Sequence, residues 1–368
     1  MDIVFNGKFL TSAPTGVHRV AGEIILALDE ILAKDKDVAS RVSAELLMPE
    51  AETHDLSLSR IASTKSGRLS GYLRNILWEQ VELPRLARGR TLVSLCNISP
   101  LAYSNSVMMM HDAQVYSTPQ SYSKGFRLWY KTNFPVAAKR GRLVLTVSEY
   151  SKSQLVHYGI AKPEKIVVVP NGCDHILRVV PQAGYPASVG LEGRNFVLAL
   201  ANTQAHKNVR ILIEAFSDPA LADVELVLFG AAGRADFEKE GVQAGPNVRF
   251  LGRISDGELA ALFGQAKAFA CPSLTEGFGL PPLEAMLLGC PAIIAPCGAL
   301  PEVCGDAALI ADPHRASEWT SAIRRLVDDV PFREEMRRKG LDQARGFTWE
   351  RAARTMLKAI EASKPARG

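Results

Sequence analysis

The chain has 368 residues, 47% hydrophobic and 22% charged, with a net charge of +4. That length exceeds one ordinary core and calls for two domains, and the composition excludes a disordered or collagen-like chain. The charge is mild and spread along the chain, so it does not demand nucleic acid as a partner.

Strand-like apolar runs come first at 3–5, 91–95, 107–110, 143–147 and 166–169, with helical patterns at 16–33 and 148–158. Between 178 and 194, Pro181, Gly184, Pro186, Gly190 and Gly193 interrupt all periodicity. Further runs follow at 196–200, 225–229, 248–251, 268–271 and 292–295, alternating with helical patterns at 208–216, 255–266, 282–288 and 316–328. A last helix is expected at 348–362. Short continuous apolar strands of this kind read as parallel and buried on both faces by helices. The fold class is therefore α/β with two doubly wound, Rossmann-like parallel-sheet domains. The expected domains are 1–182 and 190–347.

No apolar run reaches the ~20 residues of a membrane span. The N-terminus, MDIVFNGKFL, lacks a basic stretch followed by a long apolar one, so the expected location is the cytoplasm. Six cysteines form no CxxC pair. The rhythm of Cys290, Cys297 and Cys304 is better read as small buried thiols than as metal ligands. Asp35-Lys36-Asp37 spells an acidic metal motif but closes a polar helix instead of following a strand, so no metal site is expected there. Gly230 to Gly233 follows a strand but lacks the third glycine of a dinucleotide fingerprint.

The most informative stretch is CPSLTEGFGLPPLEAMLLGCPAI, residues 271–293. A strand ends, a glycine-containing loop follows, and a helix starts at Pro281 or Pro282, where a proline removes no needed N–H. Glycine admits a ligand close to the backbone, and a helix N-terminus favours phosphate. Glu276 and Glu284 flank that start, and carboxylates beside phosphate make sense as acceptors for sugar hydroxyls. The plainer reading is a strand–loop–helix with surface glutamates.

EGFGLPPLE resembles the glutamate–seven residues–glutamate pattern of retaining glycosyltransferases of family 4, which have the GT-B fold, and the likeness extends over nearly the whole chain. The resemblance implies two domains facing a central cleft, with the C-terminal helix within 348–368 crossing back to the first. It puts Glu276 on the donor sugar, Glu284 on the nucleotide ribose, and the amides of Phe278, Gly279 and Leu280 on sugar and diphosphate. Lys207, in FVLALANTQAHKNVR, matches the lysine that binds the diphosphate. Many members carry an arginine five residues earlier, where this chain has Asn202. The chain looks instead like a mannosyltransferase-like branch with a polar residue there and a basic one, His206, beside the lysine. Arg253 and Ile254 match a nucleotide-base contact, and a plain strand end explains them equally well.

In the first domain VMMMHDAQVY matches the family's strand ending in His-Asp, which places His111 at the cleft; a lone histidine without that resemblance is more often structural. TGVHRVAGEII resembles the loop that brings Gly16 close to the diphosphate. Residues 113–148 contain no Asp or Glu but carry Lys124, Arg127, Lys131, Lys139, Arg140 and Arg142, interleaved with Phe126, Trp129, Tyr130 and Phe134. Such a stretch either lies on an anionic membrane surface or is a solvated face with a packed aromatic stripe. The segment 60–74 is basic too, and reads as an acceptor-side loop.

The resemblance implies a retaining, metal-independent hexosyltransferase without a cofactor. It would move a sugar, by that likeness mannose, from a nucleoside-diphosphate sugar to a glycan or lipid-linked acceptor in bacterial surface polysaccharide synthesis. A GT-B sugar-nucleotide epimerase and a catalytically silent partner-binding subunit are the alternatives.

Overall fold

The structure, a computed structural model, describes residues 1–51, 54–67 and 74–363. Its chain separates into two units, Met1–Gly172 with Thr348–Gly368, and Cys173–Phe347. Parts of the basic segment at 60–74 and of the C-terminal stretch expected at 348–368 lie outside the described residues.

In the first unit β1 (Asp2–Asn6), β2 (Ser43–Pro49), β3 (Ala62–Ser66), β4 (Thr91–Ser94), β5 (Ser106–Met109), β6 (Leu143–Thr146) and β7 (Ile166–Val168) form one parallel sheet. The order is β3-β2-β1-β4-β5-β6-β7, so it reverses between β1 and β4. β4, β5 and β6 are buried at every position, which is why they read as unbroken apolar runs. β2 and β3 escape the sequence pattern. β3, ASTKS, is a polar and nearly wholly exposed edge strand, and β2 passes from exposed to buried along its length.

The helix Gly16–Lys34 starts at Thr15, whose hydroxyl accepts from the His18 N–H at 3.4 Å. It packs against the last helix, Trp349–Ala362, and Arg354 of that helix pairs with Asp35 at 3.1 Å. Asp35 also accepts from the Val38 N–H at 3.2 Å. The acidic motif at 35–37 is thus a helix junction.

Asp29 fixes the segment that leads into β3. One carboxylate oxygen accepts from Ser59 N and Oγ, both at 2.8 Å, the other from Arg60 N and Ile61 N, both at 2.7 Å. Burial works to raise its pKa, but the donated hydrogen bonds prevail and hold it below the usual carboxylate range. The stabilisation is therefore full above the unfolded-state pKa and is lost as pH falls through the lowered folded value. Asp29→Ala is expected to destabilise the protein by about 1–3 kcal/mol at neutral pH, since buried donors lose their acceptor. The deficit should shrink in acid melts, where wild type loses the same contribution; a deficit unchanged down to pH 2 would contradict this.

In the second unit β8 (Asn195–Leu200), β9 (Val224–Phe229), β10 (Val248–Gly252), β11 (Ala268–Cys271), β12 (Ala292–Ile294) and β13 (Ala308–Ile310) form a parallel sheet. Its order is β10-β9-β8-β11-β12-β13, which reverses between β8 and β11. Val197, Leu226, Leu228, Ala270 and Ile293 share a core with Trp319, Ile323 and Leu326. Each large aliphatic side chain buried there contributes about 1.5–3 kcal/mol. The Trp319 indole still finds an acceptor, Asp312 O at 2.9 Å. β13 was not expected, being three residues long with Ile310 exposed.

The boundary expected between 182 and 190 lies earlier, at Gly172–Cys173. Glycine and proline break periodicity there, but the stretch is packed into the second unit. Gln182 N donates to Gly257 O at 2.9 Å, Arg249 reaches Val189 O, and Leu191 is wholly buried. All six cysteines are free; Cys173, Cys271, Cys290 and Cys304 are buried, and burial pushes the Cys271 and Cys304 thiols up to about 12.

Candidate active site

Ligands of open parallel sheets bind beyond the strand C-termini where the strand order reverses. In the second unit that place lies between the loops after β8 and β11. After β8, Asn202 Oδ1 accepts from Gln204 N at 2.8 Å, closing a tight turn. A 3-10 turn, Ala205–Lys207, follows, and Asn208 adopts the left-handed conformation (φ 53°), which asparagine tolerates better than most residues. Its amide donates to Pro313 O at 2.8 Å and Pro272 O at 3.2 Å, tying the loop to the ends of β13 and β11. Lys207 Nζ then donates to Glu276 Oε1 at 2.8 Å, and the two side chains are 20% and 16% exposed.

His206 does not supply the basic group expected beside the lysine. It is buried, and its pKa is lowered first by that burial and then by the Lys207 charge, against the opposing pull of Glu276. It is neutral at pH 7, so Lys207 has no second cation from that neighbour. Asn202 lines a recess with Gln204, Asn208, Phe237 and Val242.

The loop after β11 is held from below. Glu276 O accepts from Ala299 N at 2.9 Å. Gly298 (φ 65°) lies so close that a Cβ there would come within 2.4 Å of Glu276 N and 2.6 Å of Glu276 O. Any side chain at 298 would therefore displace Glu276. Nothing local in the sequence around Gly298 announces this close approach. Gly279 is also left-handed (φ 98°) and admits the Leu300 side chain, 2.6 Å from where a Cβ would stand.

The helix begins one residue earlier than expected, as Leu280–Leu287, with Pro281 and Pro282 second and third. Neither proline has an N–H. The donors at this helix end are consequently the N–H groups of Gly279 and Leu280, a narrower set than an ordinary helix start offers. Phe278 turns its ring into the core, edge-on to Phe347 at 5.8 Å, and so anchors the loop.

Glu284 lies on the buried side of that helix, 8% exposed. The Nε2 of His175, 3% exposed, stands 3.0 Å from its Oε1. The separation is within ion-pair range. His175 carries no local signal in the sequence. Arg253 and Ile254 follow β10, the edge strand two places from β8, and so stand apart from the Lys207–Glu276 pair.

In the first unit His111 follows β5 and is 6% exposed. Its Nε2 lies 2.8 Å from Leu95 O, and its N–H donates to Asn97 Oδ1 at 2.9 Å. A carbonyl can only accept, so Nε2 carries the proton and Nδ1 presents its lone pair. Burial lowers the pKa to about 4 despite the bond to Leu95, with His18 adding to the drop. The ring is neutral at pH 7, able to accept a hydrogen bond and unable to serve as a standing acid. Gly16 is the first residue of its helix, not part of a loop before it, and the space around its Cα is open. The next residue's carbonyl, Val17 O, takes the Cys96 thiol at 3.8 Å, which brings this helix start beside the Leu95–Cys96 segment that holds His111.

At the reversal between β1 and β4 a second buried network was not anticipated. Glu79, 3% exposed, accepts from Asn6 Nδ2 at 2.8 Å and from Lys8 Nζ at 2.6 Å. The basic region contains the helix Lys124–Arg140, in which Phe126 stacks on Tyr130 with centroids 4.2 Å apart and Tyr130 meets Phe134 tilted at 4.7 Å, each pair at i, i+4. Phe134 is buried, while Leu128 and Trp129 are 67% and 40% exposed. No helix among the described residues is long and apolar enough to cross a membrane.

Comparison with known proteins bears on both units. The sequence profile described as "Glycosyl transferases group 1" matches residues 185–343. The chain is 30% identical over 277 residues to O-antigen chain mannosyltransferase B of Escherichia coli, covering 71% of each chain. It is 25% identical over 340 residues to O-antigen chain mannosyltransferase RfbU of Salmonella typhimurium, covering 88% of this chain and 90% of that protein. Among solved structures, Anabaena Alr3699/HepE in complex with UDP and glucose superposes with a TM-score of 0.74 at 18% identity, over 98% of this chain and all of the other.

Proposed function

The chain belongs to the group 1 glycosyltransferases, the retaining family-4 enzymes of GT-B fold, and from that membership we propose that it transfers mannose from a nucleoside-diphosphate donor to a growing surface glycan or its lipid-linked precursor. The observation that carries the reading is the Lys207–Glu276 pair at the strand reversal of the second unit, with Glu284 on the helix that follows. The names of the two O-antigen mannosyltransferases favour mannose and a polysaccharide acceptor.

In this reading Glu276 accepts from hydroxyls of the donor sugar, and Glu284 from those of the ribose. The Gly279 and Leu280 N–H groups bind the diphosphate together with Lys207, whose ammonium offsets the charge that develops on the leaving group. The Phe278 N–H adds to that set, while Asn202 shapes the loop bearing Lys207. Arg253 and Ile254 take the base, and in the first unit Gly16 leaves open space at its helix start. Neutral His111 accepts a hydrogen bond from a sugar hydroxyl through Nδ1. Attack from the face the diphosphate leaves lets a departing phosphate oxygen take the acceptor's proton, so the reaction needs no carboxylate nucleophile and no metal.

Incubation with GDP-mannose labelled in the sugar, EDTA and membranes from an O-antigen-producing strain tests this. Label should enter the glycolipid fraction and be released by an α-mannosidase, the sign of retention from an α-linked donor. Label found only as free mannose, or no turnover at all, would overturn the mannosyltransferase reading. Transfer from UDP-glucose in its place would keep the enzyme class and replace the donor.

The exposed Leu128 and Trp129, with Lys124, Lys131, Lys139 and Arg140 on the same helix, fit contact with an anionic lipid surface that presents such an acceptor. The protein should float with phosphatidylglycerol vesicles at low salt, and Lys139→Glu with Arg140→Glu should release it. Flotation indifferent to those reversals would remove the membrane from the account.

A further inference from the structure

The strongest unassigned contact is that between His175 and Glu284. A carboxylate in the middle of a helix and 8% exposed is unfavourable unless a polar partner meets it. His175 is that partner, at 3.0 Å from Oε1. The contact uses one carboxylate oxygen and leaves Oε2 for a ligand. His175 is itself placed rigidly. It lies on the 3-10 turn Asp174–Arg178, packed against the helix Leu280–Leu287. The turn is tethered at its start, where Cys173 N donates to Phe347 O at 3.0 Å and the Cys173 thiol reaches Ala344 O at 3.4 Å. Phe347 in turn packs edge-on against Phe278 in the loop of the candidate site. Turn, helix and loop therefore hold one another through side chains that are buried, with Phe347 half-buried.

We propose that His175 is the positioning residue for Glu284: by occupying Oε1 it sets the rotamer that turns Oε2 towards the ribose of the bound nucleotide. The inference rests on the ribose role proposed above for Glu284. Without His175 the carboxylate has no fixed orientation and a buried charge without its neighbour, so it either swings to water or takes up a proton. Each outcome removes a hydrogen-bond acceptor from the ribose while leaving the phosphate contacts of Lys207 and the helix end in place. The consequence is specific. Affinity for nucleotides with ribose hydroxyls falls, and affinity for those without them does not.

The test is calorimetric titration of the full-length protein with GDP and UDP, each beside its 2′,3′-dideoxy form. Wild type should prefer the natural nucleotide by about tenfold or more, a hydrogen-bond-sized difference. Glu284→Ala should abolish that preference. His175→Leu should abolish most of it while binding of the dideoxy form stays within about twofold, a pattern that general loosening of the fold does not produce. His175→Gln, which keeps an N–H donor near the place of Nε2, should restore it, and serves also if the leucine variant fails to fold. Preference intact in both His175 variants but lost in Glu284→Ala would overturn the positioning role alone. No preference in wild type would overturn the ribose role of Glu284, and with it this inference. No binding of either nucleotide would overturn the donor-site reading as a whole.

Discussion

Glu276→Ala is expected to lower transfer by about 10²-fold or more, the scale on which a group that contacts the reacting sugar acts. At about 1.4 kcal/mol per factor of ten, that is a loss near 3 kcal/mol in the transition state. The folded state should feel far less. The Lys207–Glu276 pair is partly solvated at 20% and 16% side-chain exposure, and such pairs contribute about 0–1 kcal/mol to stability. A large fall in turnover with a nearly unchanged melting temperature is therefore the signature of the proposed role. Glu276→Gln keeps the shape and one acceptor but not the charge, so it should retain more activity than alanine. Near-normal turnover in Glu276→Ala would sink the assignment of the sugar site, and a fall matched by global unfolding would make the residue structural.

Lys207→Ala should be as damaging, by another route. The ammonium opposes charge that grows on the diphosphate as the glycosidic bond breaks, so its loss should appear mainly in kcat. Because neutral His206 offers no second cation beside it, rescue from that neighbour is not expected. The double variant separates two accounts. If the residues act on different parts of the donor, the sugar and the phosphate, their losses multiply. If their only task is to hold each other at 2.8 Å, the double variant is no worse than either single one. A loss confined to donor KM in Lys207→Ala would contradict the leaving-group role.

Features written into local pattern are legible in the sequence alone. Unbroken apolar runs marked the strands buried on both faces, and the glycine and proline spacing of EGFGLPPLE marked a loop and helix start. Even there the pattern fell one residue short. Leu280 opens the helix because Gly279 takes a left-handed conformation, and the two prolines narrow the amide donors instead of merely tolerating the helix. What could not be read depends on partners far along the chain. Lys207 meets Glu276 across 69 residues, and Asn6 meets Glu79 across 73. Local periodicity carries nothing about such pairs. Lys207 is named only through family likeness and Glu276 already through the pattern of its loop, whereas His175, Asn6, Lys8 and Glu79 have no motif to announce them. β3 failed for a different reason: an exposed edge strand needs no apolar face, so it leaves none to detect. The misplaced boundary has a third cause. Residues 178–194 look like a linker because proline and glycine dominate, but their hydrogen bonds are made within the second unit. Protonation was beyond the sequence as well, since the tautomer of His111 follows from Leu95 O, and its lowered pKa chiefly from burial.

The C-terminal edge of the second sheet is proposed to hold a nucleotide sugar without a metal. Thermal melting of the whole protein in EDTA, against GDP, UDP and ADP and their mannose, glucose and galactose conjugates, tests it most directly. A ligand at 100 times its Kd stabilises the folded state by about 2.7 kcal/mol. A clear rise in Tm is expected with one nucleotide and its sugar, GDP-mannose foremost, and a smaller rise in Glu284→Ala, which lacks the proposed ribose contact. A melting temperature indifferent to every member of the panel, or raised equally in wild type and in Glu284→Ala, would contradict it.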